Sequence, residues 1–386
     1  MRILITNHAL VNRAGSELYV KDVAEGLLRR GHTPIAYSTK LGAVAAELRA
    51  ATVPVVDHLA SISITPDLIH GQHHIETMSA LLHFAGVPAV YFCHGWLAWE
   101  EAPPRFPRIL RYIAVDDTCR DRLICEQNIP ERQVCVVRNF VDLAKFKLRE
   151  PLPVKPKRAL VFSNYAGESS HVNAVREACD RAGLSLDVIG IESNNATDKP
   201  ESLLGEYDLV FAKARCAFEA MAVGTAVILC DQTGLGPMVT AGELDRLKRL
   251  NFGVRALREP LKAETITQEL ARYDAADARE VTRRVRASSG LEAALDQIVN
   301  LYEEVIEEYQ DSPAKGANGS NGHNSNADTA ALEARCAAEY LRDVALHITR
   351  QREAIYQSTS YRLGSFLVRA PLLRGWAKRV AKPRSE

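Results

Sequence analysis

Short apolar runs alternate with segments of helical periodicity from the first residue onward. Residues 2–6 are mostly apolar and predict a buried strand. Residues 16–30 predict a helix with Ser16 as its N-cap and Gly31 just beyond its C-terminal end. Further strands are predicted at residues 33–38, 68–71, 89–93, 112–115 and 134–137. This spacing of strands and helices predicts a parallel sheet with helices on both faces.

The alternation is interrupted at residues 150–157, where three prolines exclude a central strand or a helix interior. We interpret this segment as an interdomain linker. Beyond it, strands are predicted at residues 158–163, 185–189, 207–212 and 226–230, and helices at residues 171–182 and 215–222. The chain therefore predicts an α/β fold with two Rossmann-like domains, residues 1–150 and residues 151–310.

The C-terminal part of the chain has a different composition. Residues 311–329 are rich in Gly, Asn and Ser and predict a disordered linker, and residues 330–386 predict an amphipathic helix with a basic tail. The tail interleaves cations with large apolar side chains: Arg362, Arg369, Arg374, Lys378, Arg379, Lys382 and Arg384 among Phe366, Leu367, Leu372, Leu373 and Trp376. This pattern predicts an interfacial helix on an anionic membrane surface, with a break near Pro371. Packing of the apolar residues back onto the folded domains is the alternative.

Composition excludes several other classes. Apolar residues make up 47% of the chain, charged residues 25%, and the formal net charge is zero, so a general affinity for nucleic acid is not expected. The eight cysteines form no Cys-x-x-Cys pair, which favours a reducing compartment. The N-terminal apolar run is too short for a signal peptide, and no run approaches the roughly 20 residues of a membrane-spanning helix. These features predict a cytoplasmic protein.

Ligands of doubly wound sheets bind beyond the carboxyl ends of the strands, so the residues there are the candidates for chemistry. After the first strand, Gly15 and Ser16 stand at a helix N-terminus, where free amides and the helix dipole favour a phosphate or an anionic acceptor. A simple capped turn is the alternative. The loop has no G-x-G-x-x-G pattern, so the dinucleotide fingerprint is absent.

Histidines follow two other predicted strands. His70, His73 and His74 belong to one, and His94 with Gly95 follows the other. Gly95 would allow close approach of a ligand to His94. A metal site is an alternative, but the His-x-x-His-His spacing matches no standard zinc motif. A purely structural role for a histidine at a strand end is the other alternative.

In the second domain a strand leads into a helix that carries Lys213, Arg215 and Glu219. Arg215 and Glu219 are four residues apart and share a helix face, which predicts either an ion pair or part of a ligand site. As a ligand site, the cations would face a diphosphate, because a guanidinium donates bidentately to phosphate, and Glu219 would accept from ribose hydroxyls.

Four motifs resemble the retaining glycosyltransferases of family four, also called group one. Residues 219–227 (EAMAVGTAV) are similar to the family's E-A-M-A-x-G-x-P-V signature. Residues 14–17 (AGSE) resemble its G-G-x-E loop, and residues 136–146 (VVRNFVDLAKF) its V-I-x-N-G-V-D-x-x-x-F segment. His94 lies where the family places a histidine near the transferred sugar. The resemblance covers about residues 1–310.

The resemblance implies a GT-B fold, in which the second domain holds most of the nucleotide sugar and the first holds a saccharide or lipid-linked acceptor. The predicted function is sugar transfer in bacterial cell-surface polysaccharide or glycolipid synthesis. No cofactor or metal is expected, since the chain has no Asp-x-Asp element. His94 and Glu219 are the predicted catalytic residues. The predicted donor-site residues are Gly15, Ser16, Asn139, Ser163, Asn164, Lys213, Arg215 and Glu219, and the predicted acceptor-site residues are His8, Arg13, His73 and His74.

Two departures from the family pattern keep other functions open. Phe211 stands where the first glutamate of the family's paired-glutamate motif is expected, and residues 163–168 (SNYAGE) lack the usual Arg and Lys pair. Lys213 and Arg215 are expected to supply the missing phosphate charge. The alternatives are a nucleotide-sugar epimerase of the same fold and a non-catalytic carbohydrate-binding relative.

Overall fold

The structure is a computed structural model that describes residues 1–167, 171–312 and 322–358. The first half contains β1 (Arg2–Thr6), α1 (Gly15–Arg29), β2 (Thr33–Tyr37), α2 (Ala43–Ala50), β3 (Val55–Val56), β4 (Leu68–Gln72), α3 (His74–His83), β5 (Ala89–Cys93), β6 (Ile109–Ala114), α4 (Asp117–Asp121) and β7 (Val134–Val136). The second half contains β8 (Arg158–Phe162), α5 (Val172–Ala182), β9 (Ser185–Ile189), α6 (Pro200–Leu203), β10 (Leu209–Ala212), α7 (Ala214–Val223), β11 (Ala226–Asp231), β12 (Gly234–Met238), α8 (Leu244–Arg249), α9 (Ala263–Leu270), α10 (Ala275–Ser288), α11 (Leu291–Asp311) and α12 (Gly322–Gln357).

The first sheet has seven parallel strands in the order β3-β2-β1-β4-β5-β6-β7. The chain moves outward from β1 to β2 on one side and resumes on the other side with β4. The strand order therefore reverses between β1 and β4, which is where doubly wound sheets form a ligand crevice. The expected doubly wound sheet is confirmed.

The second sheet has five strands in the order β12-β11-β10-β8-β9, and its order reverses between β8 and β10. Successive residues alternate between its two faces, so that Leu160 and Val210 pack in one core layer and Val161 and Phe211 in the other. β12 is antiparallel to β11 and was not predicted from the sequence. Its sequence, GLGPM, lacks the residues typical of strands, and Pro237 is tolerated because β12 lies at an edge.

The helix α11 follows the second sheet in the chain but packs in the core of the first. Leu295, Ile298 and Tyr302 are fully buried there against α1. Gly26 of α1 permits this close packing, because a Cβ at that position would collide with the side chain of Leu295. The chain therefore crosses between the two sheets twice, after β7 and again before α11. The predicted domain boundary at residues 150 and 151 stays a prediction.

The helix α12 belongs to a different compact unit from the two sheets. It begins at Gly322, so residues 322–329 of the predicted disordered linker are helical in the structure. Extension of a helix costs less than its nucleation, and the Ala- and Leu-rich segment beyond residue 329 favours helix formation. None of the helices in the described ranges is long and apolar enough to cross a membrane. The predicted membrane-binding tail lies outside the described residues, apart from Ser358.

Candidate functional site

The histidines predicted from the first domain meet at the carboxyl edge of its sheet. His8 and His73 follow β1 and β4, the strands that flank the reversal in strand order, and His94 follows β5, the neighbour of β4. The backbone N–H of His8 donates to Nδ1 of His73 over 3.1 Å. Glu101 joins the other two: its Oε1 lies 3.5 Å from Nε2 of His73, and its Oε2 accepts from the backbone N–H of His94 over 3.0 Å.

The backbone of His73 is strained at the turn between β4 and α3. Its φ is +59°, in the left-handed region that favours glycine. Ala214, at the turn between β10 and α7, has a φ of +47°. Both residues lie at strand-to-helix turns on the carboxyl edges of the two sheets. Strain of this kind costs on the order of 1–3 kcal/mol and is concentrated at functional sites.

Burial and neighbouring charges shift the pKa values of Glu101 and His73 in opposite directions. Burial raises the pKa of Glu101, but the hydrogen bond to His73 and the positive charges of His94 and His73 outweigh it and lower the pKa to about 2. Burial lowers the pKa of His73, but its hydrogen bond to Glu101 and the charges of nearby glutamates outweigh this effect, so the pKa is raised. The cluster therefore contains a carboxylate paired with a histidine that readily holds a proton.

His94 has the opposite tendency. Burial lowers its pKa to about 4, although the charge of Glu101 opposes the shift. Its ring packs edge-on against Tyr19 of α1, with centroids 4.5 Å apart. Its Nε2 is buried and has no hydrogen-bond partner in the described part of the chain. His94 is thus a neutral ring at the carboxyl edge of the sheet.

The pKa of His94 gives a testable pH dependence. Its folded-state pKa is depressed from 6.5 to about 4, so the unfolded chain binds this proton more readily. Its contribution to stability is complete above pH 6.5 and is lost as the pH falls toward 4. We expect the ring signals of His94 in an NMR titration to shift with a midpoint near pH 4. Between pH 6.5 and 4, the midpoint temperature of unfolding of His94→Gln is expected to fall less steeply than that of the wild type. A midpoint near 6.5 would contradict the burial of the ring.

The remaining predicted acceptor residues have partners in the same region. Nδ1 of His8 lies 3.4 Å from Oε1 of the buried Glu76. Arg13 is paired with Glu47 over 2.5 Å. His74 is buried and packs edge-on against Trp99, with ring centroids 4.2 Å apart.

The start of α1 differs in one respect from the prediction. The helix begins at Gly15 with Ala14 as its N-cap, and no side chain caps it. Ser16 lies inside the first turn and donates its hydroxyl to Glu17 over 2.9 Å, so the expectation of a Ser16 N-cap was wrong. The first-turn amides therefore lack a side-chain acceptor, and space is open around Gly15.

The carboxyl edge of the second sheet carries its own charged group. Lys213 follows β10, and its Nζ lies 2.5 Å from the fully buried Asp231 and 5.4 Å from the ring centroid of Tyr165. Ser163 and Asn164 follow β8, on the other side of the reversal in strand order. The side-chain amide of Asn164 donates to the backbone carbonyl of Arg13 over 3.4 Å, which brings this edge to the loop that precedes α1.

Arg215 links the two halves of the fold. Its Nε donates to Oε1 of Glu219 over 2.7 Å, and its Nη2 to Oδ2 of Asp22 in α1 over 2.5 Å. Burial raises the pKa of Glu219 despite the nearby guanidinium. Tyr19, which contacts His94, and Asp22 are three residues apart on α1 and so share a helix face. One face of α1 therefore contacts both predicted catalytic residues, His94 directly and Glu219 through Arg215.

Asn139 forms its side-chain hydrogen bond with a residue outside the groups described so far. It is in the segment after β7, and its side-chain amide donates to Asn251 over 3.0 Å. Its assignment to the donor site stays a prediction.

The sequence did not identify four acidic residues of this region: Asp22, Glu76, Glu101 and Asp231. Each is buried and contacts a predicted site residue. A weak signal exists for Asp22, since an acidic residue on the buried face of an amphipathic helix needs a partner. Within the described parts of the chain, no group of three or more His, Cys, Asp or Glu side chains is arranged to hold a metal ion.

Comparison with solved structures identifies the architecture. A glycosyltransferase from Rickettsia africae superposes with a TM-score of 0.59 at 15% identity, over 79% of this chain and 98% of that one. Anabaena HepE in complex with UDP and glucose superposes with a TM-score of 0.58 at 16% identity, over 78% and 99%. Sucrose-phosphate synthase from Thermosynechococcus elongatus gives 0.55 at 14%, over 80% and 99%.

The fold is GT-B. At identities this low the likenesses show the fold alone, and no curated protein matches the chain significantly. The profile of Glycosyltransferase Family 4 matches residues 55–145, less than a quarter of the chain. That region of the GT-B fold includes β4, β5 and the histidines that follow them. The resemblance found in the sequence is therefore confirmed there, and family profile and fold together support a transferase.

Proposed function

We propose that the protein transfers a hexosyl group, with retention of configuration, from a nucleotide-activated donor to a saccharide or lipid-linked acceptor. The observation that carries the proposal is that α1 joins both predicted catalytic residues, His94 by direct contact and Glu219 through Arg215, at the carboxyl edges of the two sheets. Tyr19 contacts His94, and Asp22 binds the arginine that holds Glu219. A donor between these edges would have its sugar near His94 and its nucleotide near α7.

The charge that develops on the leaving diphosphate needs stabilisation from the protein. We assign this role to Lys213 and to the first-turn amides of α1 at Gly15 and Ser16, where the helix dipole adds to the hydrogen bonds. Arg215 orients Glu219 to accept from the ribose hydroxyls. Ser163, Asn164 and Asn139 complete the proposed donor site, and His8, Arg13, His73 and His74 the acceptor site.

The mechanism assigns His94 a hydrogen-bonding role. Its pKa of about 4 keeps the ring neutral near pH 7, so the buried Nε2 can bind a sugar hydroxyl without proton transfer once the donor displaces the groups that cover it. His73 and Glu101 hold the turn around His94, because Glu101 pairs with Nε2 of His73 and accepts from the backbone N–H of His94.

A screen for slow donor hydrolysis tests the proposal. The purified full chain is incubated with UDP-, GDP-, ADP- and dTDP-activated hexoses, and release of free nucleotide is measured. We expect one donor to be hydrolysed above the background rate, and Glu219→Gln to abolish the excess. Epimerisation of the sugar without nucleotide release would indicate the epimerase alternative. Binding without turnover of any donor would indicate a non-catalytic relative.

We also propose a place of action at the cytoplasmic face of a membrane, in polysaccharide or glycolipid synthesis. The cations and aromatic residues between residues 362 and 384 support this proposal, since each cation near an anionic leaflet contributes about 1 kcal/mol.

Flotation with liposomes tests the role of the tail. The full chain is expected to float with vesicles that contain anionic lipid, and less so at high salt, which screens the attraction. A chain that ends at Ser358 is expected to stay in the dense fraction. Equal behaviour of the two chains would contradict membrane binding by the tail.

A further inference from the structure

A cavity of about 200 Å³ lies where the chain passes between the two sheets. Its wall includes Arg138 from the segment after β7, Lys248 from α8, and Ser289, Gly290 and Ala293 from the turn into α11. α8 packs in the core of the second sheet and α11 in the core of the first. Both halves of the fold therefore contribute to this cavity, which we call the hinge cavity.

The N-terminus of α11 opens into the hinge cavity. α11 has 21 residues, and its N-cap, Gly290, provides no side-chain acceptor. The amide of Leu291 donates to the carbonyl of Val141 over 2.9 Å. The amides of the next two residues have no carbonyl within the helix to bind, and the helix dipole adds positive potential at this end.

Two cations add to that potential. Lys248 donates to the carbonyl and to the hydroxyl of Ser288 over 2.9 Å and 2.7 Å, and no carboxylate in the described chain forms an ion pair with it. Burial lowers the pKa of Lys248, and the charge of Arg138 lowers it further. Arg138 donates one hydrogen bond to the backbone carbonyl of Arg249 and one to the carboxylate of Asp117, each over 3.2 Å. Positive charge at the hinge cavity is therefore incompletely neutralised.

Ser289 provides an independent indication of a ligand. It is 4% exposed, and its buried Oγ forms no hydrogen bond with any residue in the described ranges. A buried hydroxyl without a partner is destabilising, so such groups are normally satisfied by a hydrogen bond. An oxygen-rich anion in the cavity would accept from this hydroxyl as well as from the helix amides and Lys248.

We propose that the hinge cavity binds a phosphate-type oxyanion, either free phosphate or the phosphate group of a small metabolite. This site goes beyond the proposed transfer function, because none of its residues except Asn139 belongs to the proposed donor or acceptor site. A bound anion would join groups from both halves of the fold. By linkage it favours the arrangement in which the two halves meet, and so regulates opening between them.

Calorimetric titration of the full chain with inorganic phosphate, at constant ionic strength, tests the site. We expect saturable binding of one phosphate, in the presence and absence of saturating UDP. Lys248→Gln is expected to lower the affinity about tenfold or more, because a charge-assisted hydrogen bond is lost. Lys155→Gln, the same change of charge at an exposed linker residue, is expected to leave the affinity unchanged. Glucose 6-phosphate is titrated in parallel, and tighter binding than phosphate indicates a metabolite ligand.

A second variant, which is expected to keep the fold, tests whether phosphate binds at the N-terminus of α11. Ala293→Asp places a carboxylate in the first turn of α11, where negative charge stabilises a helix, and it is expected to fold while it excludes phosphate by repulsion. Phosphate should raise the midpoint temperature of the wild type but not of Ala293→Asp. Absence of saturable binding, displacement of phosphate by UDP, or wild-type affinity in both variants would overturn the proposal.

Discussion

Replacing His94 by alanine is expected to lower kcat/KM for sugar transfer by roughly 10²–10³-fold, the scale of losing one preorganised hydrogen-bonding group from an active site. The ring of His94 is held by Tyr19 and is neutral near pH 7, and its Nε2 has no hydrogen-bond partner among the residues that the structure describes. A group that is fixed and unused before the substrate binds loses little entropy when it contacts the sugar. Steady-state kinetics with the donor identified by the hydrolysis screen would measure the change.

A matched histidine separates this effect from general damage to the first domain. His58 is exposed, and His58→Ala is expected to retain wild-type kcat/KM. Both variants are compared by their thermal unfolding. A folded His94→Ala protein with unchanged kcat/KM would remove His94 from the site, and the donor would then have to lie elsewhere along the carboxyl edges.

The strands of both sheets could be predicted because parallel strands are buried on both faces and so consist of short, continuous apolar runs. β1 and β5, which are buried almost throughout, have the predicted limits. β12 could not be predicted in this way, because its Gly- and Pro-rich sequence pairs only through tertiary contact with β11. The two-residue strand β3 was missed because a run that short carries no periodicity.

The positions of the candidate site residues were predictable for a topological reason. In a doubly wound sheet the residues after each strand lie at one edge, so His8, His73 and His94 had to be neighbours once the strands were known. Their charged partners were not predictable. Asp22 and Arg215 are 193 residues apart in sequence, and no local pattern indicates that they meet. The strained turn at His73 was missed because no glycine marks it.

Replacing Arg215 by alanine is expected to lower the free energy of unfolding by about 3–5 kcal/mol, because removal of one member of a buried ion cluster leaves the others uncompensated. Asp22 and Glu219 have side chains that are 9% and 6% exposed, and both would lose their cation. Binding of the nucleotide sugar is expected to weaken by about 1.5–3 kcal/mol, the scale of a charged hydrogen bond. Chemical denaturation and calorimetry measure the two effects separately.

A conservative variant distinguishes the two roles of Arg215. Arg215→Lys keeps the positive charge but loses the planar fork that serves two carboxylates at once, so it should recover part of the stability and little of the donor affinity. Arg181, which pairs with Glu177 on the exposed face of α5, provides the control, and Arg181→Ala is expected to change neither quantity. If Arg215→Ala unfolds as the wild type does, the contact with Asp22 does not hold the two halves together. If the donor binds folded Arg215→Ala unchanged, Arg215 acts only as a structural link between α1 and α7, and its proposed role in orienting Glu219 toward the donor is wrong.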